Sequence, residues 1–132
     1  MFIRELSECR RFTAGDESTL AELLNPLKED LPIRYSLAHA TVKPGRTTLK
    51  HKLTASEVYY ILEGSGIMYI GGRRRRVSAN QTVYIPPNQP QKIANTGNSD
   101  LIFLCIADPA WRAENEQVLE KRNKKGPGAE GR

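Results

Sequence analysis

Cysteine is scarce in this chain: Cys9 and Cys105 are the only two, far apart and without C-x-x-C spacing. A disulfide-stapled scaffold and a zinc knuckle are therefore unsupported, and two reduced thiols are expected. Long apolar runs are also missing, since nothing approaches the roughly 20 residues that span a bilayer. The start, Met1-Phe2-Ile3-Arg4-Glu5, carries charge where a signal peptide has its apolar core. No membrane partner is expected, and the default compartment is cytoplasmic. Histidine occurs twice, as His39 and His51. There is no serine or cysteine triad, phosphate-binding loop, zinc-finger spacing or helix-turn-helix segment.

What is present suits one domain. The chain has 132 residues, 39% of them apolar, and a domain near this length buries roughly two-thirds of its unfolded surface. A core without staples is feasible, and disorder throughout is excluded. The formal charge of +5 is unevenly placed: residues 121–132 hold five cations against Glu130, a net +4, which leaves +1 for residues 1–120. The stretch from Asn123 to Arg132 has no apolar residue larger than alanine and reads as a disordered basic tail. Charge so confined serves solubility better than recognition, and no nucleic-acid partner is expected.

Residues 1–32 read as an N-terminal appendage, with a short apolar stretch at Phe2 to Leu6 followed by a helix. Asp16 or Ser18 can cap that helix, Leu20, Leu23, Leu24 and Leu27 fall at helical spacing, and Asn25-Pro26 stops it. From Ile33 the period changes to two. Strands are predicted at Ile33 to Val42, Thr48 to Leu53, Glu57 to Glu63, Ile67 to Ile70, Arg74 to Val77, Thr82 to Ile85, Gln91 to Asn95 and Leu101 to Ala107. Pro44-Gly45, Gly64-Ser65-Gly66, Gly71-Gly72, Pro86-Pro87-Asn88 and Thr96-Gly97-Asn98 mark the turns. The fold class is all-β, a sandwich or small barrel over residues 33–112. Residues 113–132 add a short helix from about Ala113 to Lys121 and the tail.

One run of residues carries chemistry. Gly45, His51, Leu53, Glu57 and Gly64 follow the spacing G-x5-H-x-L-x3-E-x6-G. Asn80, Pro86, Asn88, Gln91 and Asn95 follow at N-x5-P-x-N-x2-Q-x3-N. The pair resembles the two cupin motifs, G-x5-H-x-H-x3,4-E-x6-G and G-x5-P-x-G-x2-H-x3-N. Leu53 stands in place of the second histidine, Gln91 in place of the third, and Asn80 and Asn88 in place of two glycines. Asparagine tolerates left-handed backbone, so the last two changes preserve the turns.

The resemblance covers about Ile33 to Ala107 and is closest to small single-domain cupins of the RmlC-like superfamily. It implies a double-stranded β-helix, or jelly-roll, barrel with a small-molecule pocket in its lumen. Some such proteins carry a mannose-6-phosphate-isomerase-like label by loose similarity. A homodimer is implied as well, with the Val58, Tyr60, Leu62 row and Phe2-Ile3 as contact surfaces.

The residues themselves leave two readings open. His51 and Leu53 share one strand face, Glu57 can return towards it, and Gln91 opens a later strand. With His39, if that side chain faces inward, these donors could hold Mn²⁺, Fe²⁺, Ni²⁺ or Zn²⁺ as the Lewis acid of an enzyme. Glu57 or Tyr59, which shares its face, would then handle a proton. In the other reading Leu53 and Gln91 mark a metal-poor pocket that binds or senses a small polar ligand, with Gln91 and Glu57 hydrogen-bonded to each other or to His51. Arg73 to Arg76 belong to a hairpin turn and its outgoing strand; they could grip phosphate, but alternate residues face opposite ways and a solvated turn is the expectation. Cys105 reads as a buried inert thiol.

Overall fold

The computed structural model describes residues 1–121; the tail expected from Asn123 onward lies outside the described residues. The described residues form eleven strands: β1 (Phe12–Thr13), β2 (Thr19–Leu24), β3 (Ser36–Val42), β4 (His51–Leu53), β5 (Ser56–Glu63), β6 (Ser65–Ile70), β7 (Arg73–Ser78), β8 (Thr82–Ile85), β9 (Gln91–Asn95), β10 (Leu101–Asp108) and β11 (Glu116–Val118). They make a six-stranded sheet ordered β1-β2-β3-β10-β5-β8 and a five-stranded sheet ordered β11-β4-β9-β6-β7. Every pairing is antiparallel. The chain is all-β, as the period of two implies, and its two antiparallel sheets are those of the jelly roll that the resemblance implies.

Alternation builds the core. Ala38, Ala40 and Val42 of β3, Tyr59 and Ile61 of β5, Met68 of β6, Ile93 of β9 and Leu101, Phe103 and Cys105 of β10 join one buried cluster. Full burial of an aliphatic side chain of this size contributes about 1.5–3 kcal/mol. The Tyr59 and Phe103 rings stack with centroids 4.4 Å apart. The turns behave as their residues require: Gly45, Gly64, Asn80 and Asn88 all take positive φ, at 76°, 86°, 71° and 64°. Both asparagines thus do the backbone work of the glycines they replace.

Two helices expected from the sequence are strands instead. Thr19–Leu24 pairs with β3, and its register shifts between Glu22 and Leu24. That bulge adds one residue to an alternating strand, which gives Leu20, Leu23 and Leu24 their helix-like spacing. At the C-terminal end only Ala113–Asn115 makes a 3-10 turn, and Glu116–Val118 then pairs with β4. The unpaired edge of β4 offers the chain more backbone hydrogen bonds than an isolated short helix, which is marginal in water. Among the described residues, the only helical turns are this one and Leu6–Glu8, and none is long and apolar enough to cross a membrane.

Candidate functional site

β4 and β9 touch in register at one pair, His51 opposite Gln91. In antiparallel strands directly opposed side chains share a face, and here that face is the lumen. Across the barrel β5 brings Glu57, opposite Ala107, and Tyr59, opposite Cys105. His51, Glu57, Gln91, Tyr59 and Cys105 are all at most 4% exposed.

The buried groups are tied to one another. Gln91 Nε2 donates to Glu57 Oε1 at 2.5 Å, Tyr59 Oη donates to Gln91 Oε1 at 3.0 Å, and Cys105 Sγ donates to Glu57 Oε2 at 2.9 Å. The amide orientation follows from chemistry, because a carboxylate offers no proton to a carbonyl oxygen. Both oxygens of Glu57 therefore have donors. Cys105 is buried as expected, and its thiol is part of this network.

His51 stands at the other side of the cavity. Its Nδ1 donates to the Leu49 carbonyl at 3.0 Å, and Nε2 lies 4.0 Å from Asp16 Oδ2. Burial pulls the imidazole pKa down, but Asp16, Glu57, the Leu49 carbonyl and Glu116 together hold it above its ordinary value of 6.5. Asp16 is fixed by its own turn, where Oδ1 accepts from the Ser18 backbone N–H at 3.0 Å and from Ser18 Oγ at 2.6 Å. Leu49 N–H donates to the Asp16 carbonyl at 2.7 Å, which docks the β1–β2 turn onto the approach to β4.

Glu116 enters from β11. A Cβ on Gly15 would lie 2.7 Å from Glu116 Oε1, so the N-terminal turn and the C-terminal strand meet over the site. Beneath them is a cavity of about 20 Å³ lined by Asp16, His51, Glu57, Tyr59, Cys105 and Glu116 among others, room for about one water. Sequence reasoning missed Asp16, Glu116 and Cys105 as site residues. Only Cys105 left a trace there, since it shares strand parity with the core residues Leu101 and Phe103.

The metal set expected from the motif positions does not assemble. His39 leaves it first: Ala38 and Ala40 face the core, so His39 lies on the opposite face of β3, with Arg11 Nη1 3.5 Å from its Nδ1. Burial, followed by the Arg11 charge, holds its pKa below 6.5. Leu53 fills the second-histidine position with hydrocarbon and packs with Ala107 and Trp111 in a separate small core. Gln91 presents its amide nitrogen to Glu57, and its oxygen is taken by Tyr59. Among the described residues no three His, Cys, Asp or Glu side chains converge to hold a metal. The donors present do not fit the transition-metal centre that the resemblance implies.

Comparison with known proteins agrees with the barrel. The family model of the cupin domain matches residues 38–107. An uncharacterized protein, MJ1618, of Methanocaldococcus jannaschii is 39% identical over 117 residues, covering 88% of this chain and 93% of that protein. The oxalate-binding protein of Thermotoga maritima is 33% identical over 92 residues, 68% of this chain and 74% of its own length. The structure of the polyketide cyclase RemF from Streptomyces resistomycificus superposes with a TM-score of 0.76 at 20% identity, over 92% of this chain and 87% of that one, a likeness of fold. The fold is a double-stranded β-helix barrel. The chain belongs to the cupin family.

Proposed function

We propose that this cupin binds a compact hydrogen-bond-donating or cationic small molecule in its lumen, and does so without a resident transition metal. One observation carries the reading: Gln91 bridges Glu57 and Tyr59 while Cys105 takes the second carboxylate oxygen. The Glu57 carboxylate and the Gln91 amide are thus held by hydrogen bonds within the lumen. What remains towards the cavity is acidic, with Asp16, Glu57 and Glu116 around one imidazole. Such a lining favours donors and positive charge over a dicarboxylate. The cavity has room for about one water, so a larger ligand requires the β1–β2 turn and β11 to part.

Elemental analysis of untagged protein purified without chelator tests the metal half, and a thermal-shift screen of small ammonium compounds, polyols and dicarboxylates tests the ligand half. The expected result is well under one transition metal per chain and stabilisation by donors or cations, lost in Asp16→Asn. About one metal per chain, released by His51→Ala or Glu57→Ala, overturns the reading. An enzyme reading has one observation in its favour, the buried His51 Nε2 facing Asp16 across the cavity. It would move the proton-handling role from Tyr59 and Glu57, whose polar atoms are engaged, to His51.

A homodimer belongs to the same reading. The outer face of β5 and its neighbours shows Tyr60, Leu62, Ile106 and Tyr84, each more than a third exposed, and Val58 lies between Ile106 and Tyr84 in register. Exposed apolar surface on a sheet face is a natural contact between copies. Sedimentation giving only a species near 15 kDa removes the dimer from the proposal.

A further inference from the structure

A second, larger cleft lies where the two sheets end. β7 is the last strand of one sheet and β8 the last strand of the other, and between them opens a space of about 510 Å³. That is within the usual range for small-molecule sites, roughly 300–1,000 Å³. Its walls come from β6, β7 and β8, with Met68, Ile70, Val77 and Val83 as the apolar part and Arg73 to Arg76 as the charged part.

Register decides which arginines face it. Met68 is paired with Arg75 and Ile70 with Arg73, and directly paired residues stand on the same face. Met68 and Val77 are core residues, and Ile70 packs against that core. Arg73 and Arg75 therefore lie on the inner face of the five-stranded sheet, while Arg74 and Arg76 lie on the outer face with Tyr69 and Ile67. The inner pair nevertheless stays exposed, because the cleft opens to solvent at the sheet edges. Among the described residues no carboxylate pairs with any of the four. Gly71 aims the pair: its φ of 60° supplies the positive first position of the two-residue turn that leads from Ile70 into Arg73.

We propose that this cleft is a second ligand site, distinct from the lumen, for a soluble organic oxyanion with an apolar body, its phosphate or carboxylate held by Arg73 and Arg75 and its body against Met68, Ile70, Val77 and Val83. Two guanidinium forks on alternate residues of one strand face suit a planar or tetrahedral oxyanion. The hydrocarbon wall beneath them distinguishes an amphipathic anion from a bare one.

Calorimetric titration of the full chain with 1-naphthyl phosphate tests this, with inorganic phosphate and 1-naphthylmethylammonium as comparators. The expected result is one naphthyl phosphate per chain, bound at least about tenfold more tightly than inorganic phosphate, and no binding of the cation. Arg73→Ala/Arg75→Ala should weaken binding at least about tenfold, the scale of one lost charged hydrogen bond, while Arg74→Ala/Arg76→Ala should change it less than about threefold. Circular dichroism melts show that both variants fold. Equal losses in the two variants, equal affinity for inorganic phosphate, or binding seen only with anionic vesicles or RNA and lost steeply with salt would each overturn the proposal.

Discussion

The lumen and the sheet-edge cleft are built from the same strands and treat polar groups in opposite ways. In the lumen Glu57 and Gln91 are 2% exposed and their side-chain polar atoms have partners. At the cleft the guanidiniums of Arg73 and Arg75 stand without a carboxylate among the described residues. Burial makes the difference: a polar group removed from water without a partner costs free energy, whereas an exposed cation is solvated whatever its neighbours. Side chains of equal chemical promise in the sequence thus become structure in one place and open binding capacity in the other.

The strongest way to break this contrast is to remove the acceptor at the centre of the lumen. Glu57→Ala leaves the Gln91 amide and the Cys105 thiol buried without their partner, and should cost about 3 kcal/mol of stability. Urea denaturation with an unchanged slope would report it as a lower midpoint. A loss below about 1 kcal/mol would mean that the network holds little of the fold together. Tyr59→Phe removes one donor from Gln91 and keeps the ring stacked on Phe103, so the expected cost is about 1 kcal/mol by the same measurement.

The two histidines sharpen the comparison through pH. His51 has a raised native pKa, so its protonation stabilises the fold fully below 6.5, and that contribution is lost as pH rises from 6.5 through the raised value. His39 has a lowered native pKa, so the unfolded chain binds the proton more readily, and stability rises with pH from the lowered value up to 6.5. Denaturation midpoints across this range should therefore fall off on both sides of 6.5. His51→Gln should flatten the alkaline limb alone and His39→Gln the acid limb alone; a variant that flattens neither would show that its histidine is not held as described.

The barrel was legible in the sequence because alternation and turn residues agree. Left-handed Asn80 and Asn88 confirm that the motif spacing encodes backbone as well as chemistry. The same spacing brought His51, Glu57 and Gln91 together, since strand parity and register suffice to aim them. Asp16 and Glu116 were illegible for a different reason. They come from segments that read as helices, and their approach to His51 depends on the β1–β2 turn docking through the Leu49 N–H to Asp16 carbonyl bond and on β11 finding the edge of β4. The face of His39 was left open in the sequence, and one comparison decides it: the small residues Ala38 and Ala40 define the inward parity of β3, which puts the histidine on the opposite face.

The smallest expected effect lies in the cleft. Arg73→Ala/Arg75→Ala removes two charges that have no acidic partner among the described residues and stand beside two like charges. Arg75 stands opposite Met68 and Arg73 opposite Ile70 in register, so loss of their hydrocarbon stems is a packing cost that opposes the relief of repulsion. The two small terms offset, and the unfolding free energy from urea denaturation should change by less than about 0.5 kcal/mol in either direction, as for surface positions generally. A loss approaching that of Glu57→Ala would mean that the arginines are part of the fold's own support. The lumen and the cleft would then differ in exposure alone, and the case for an external anion would lose its physical basis.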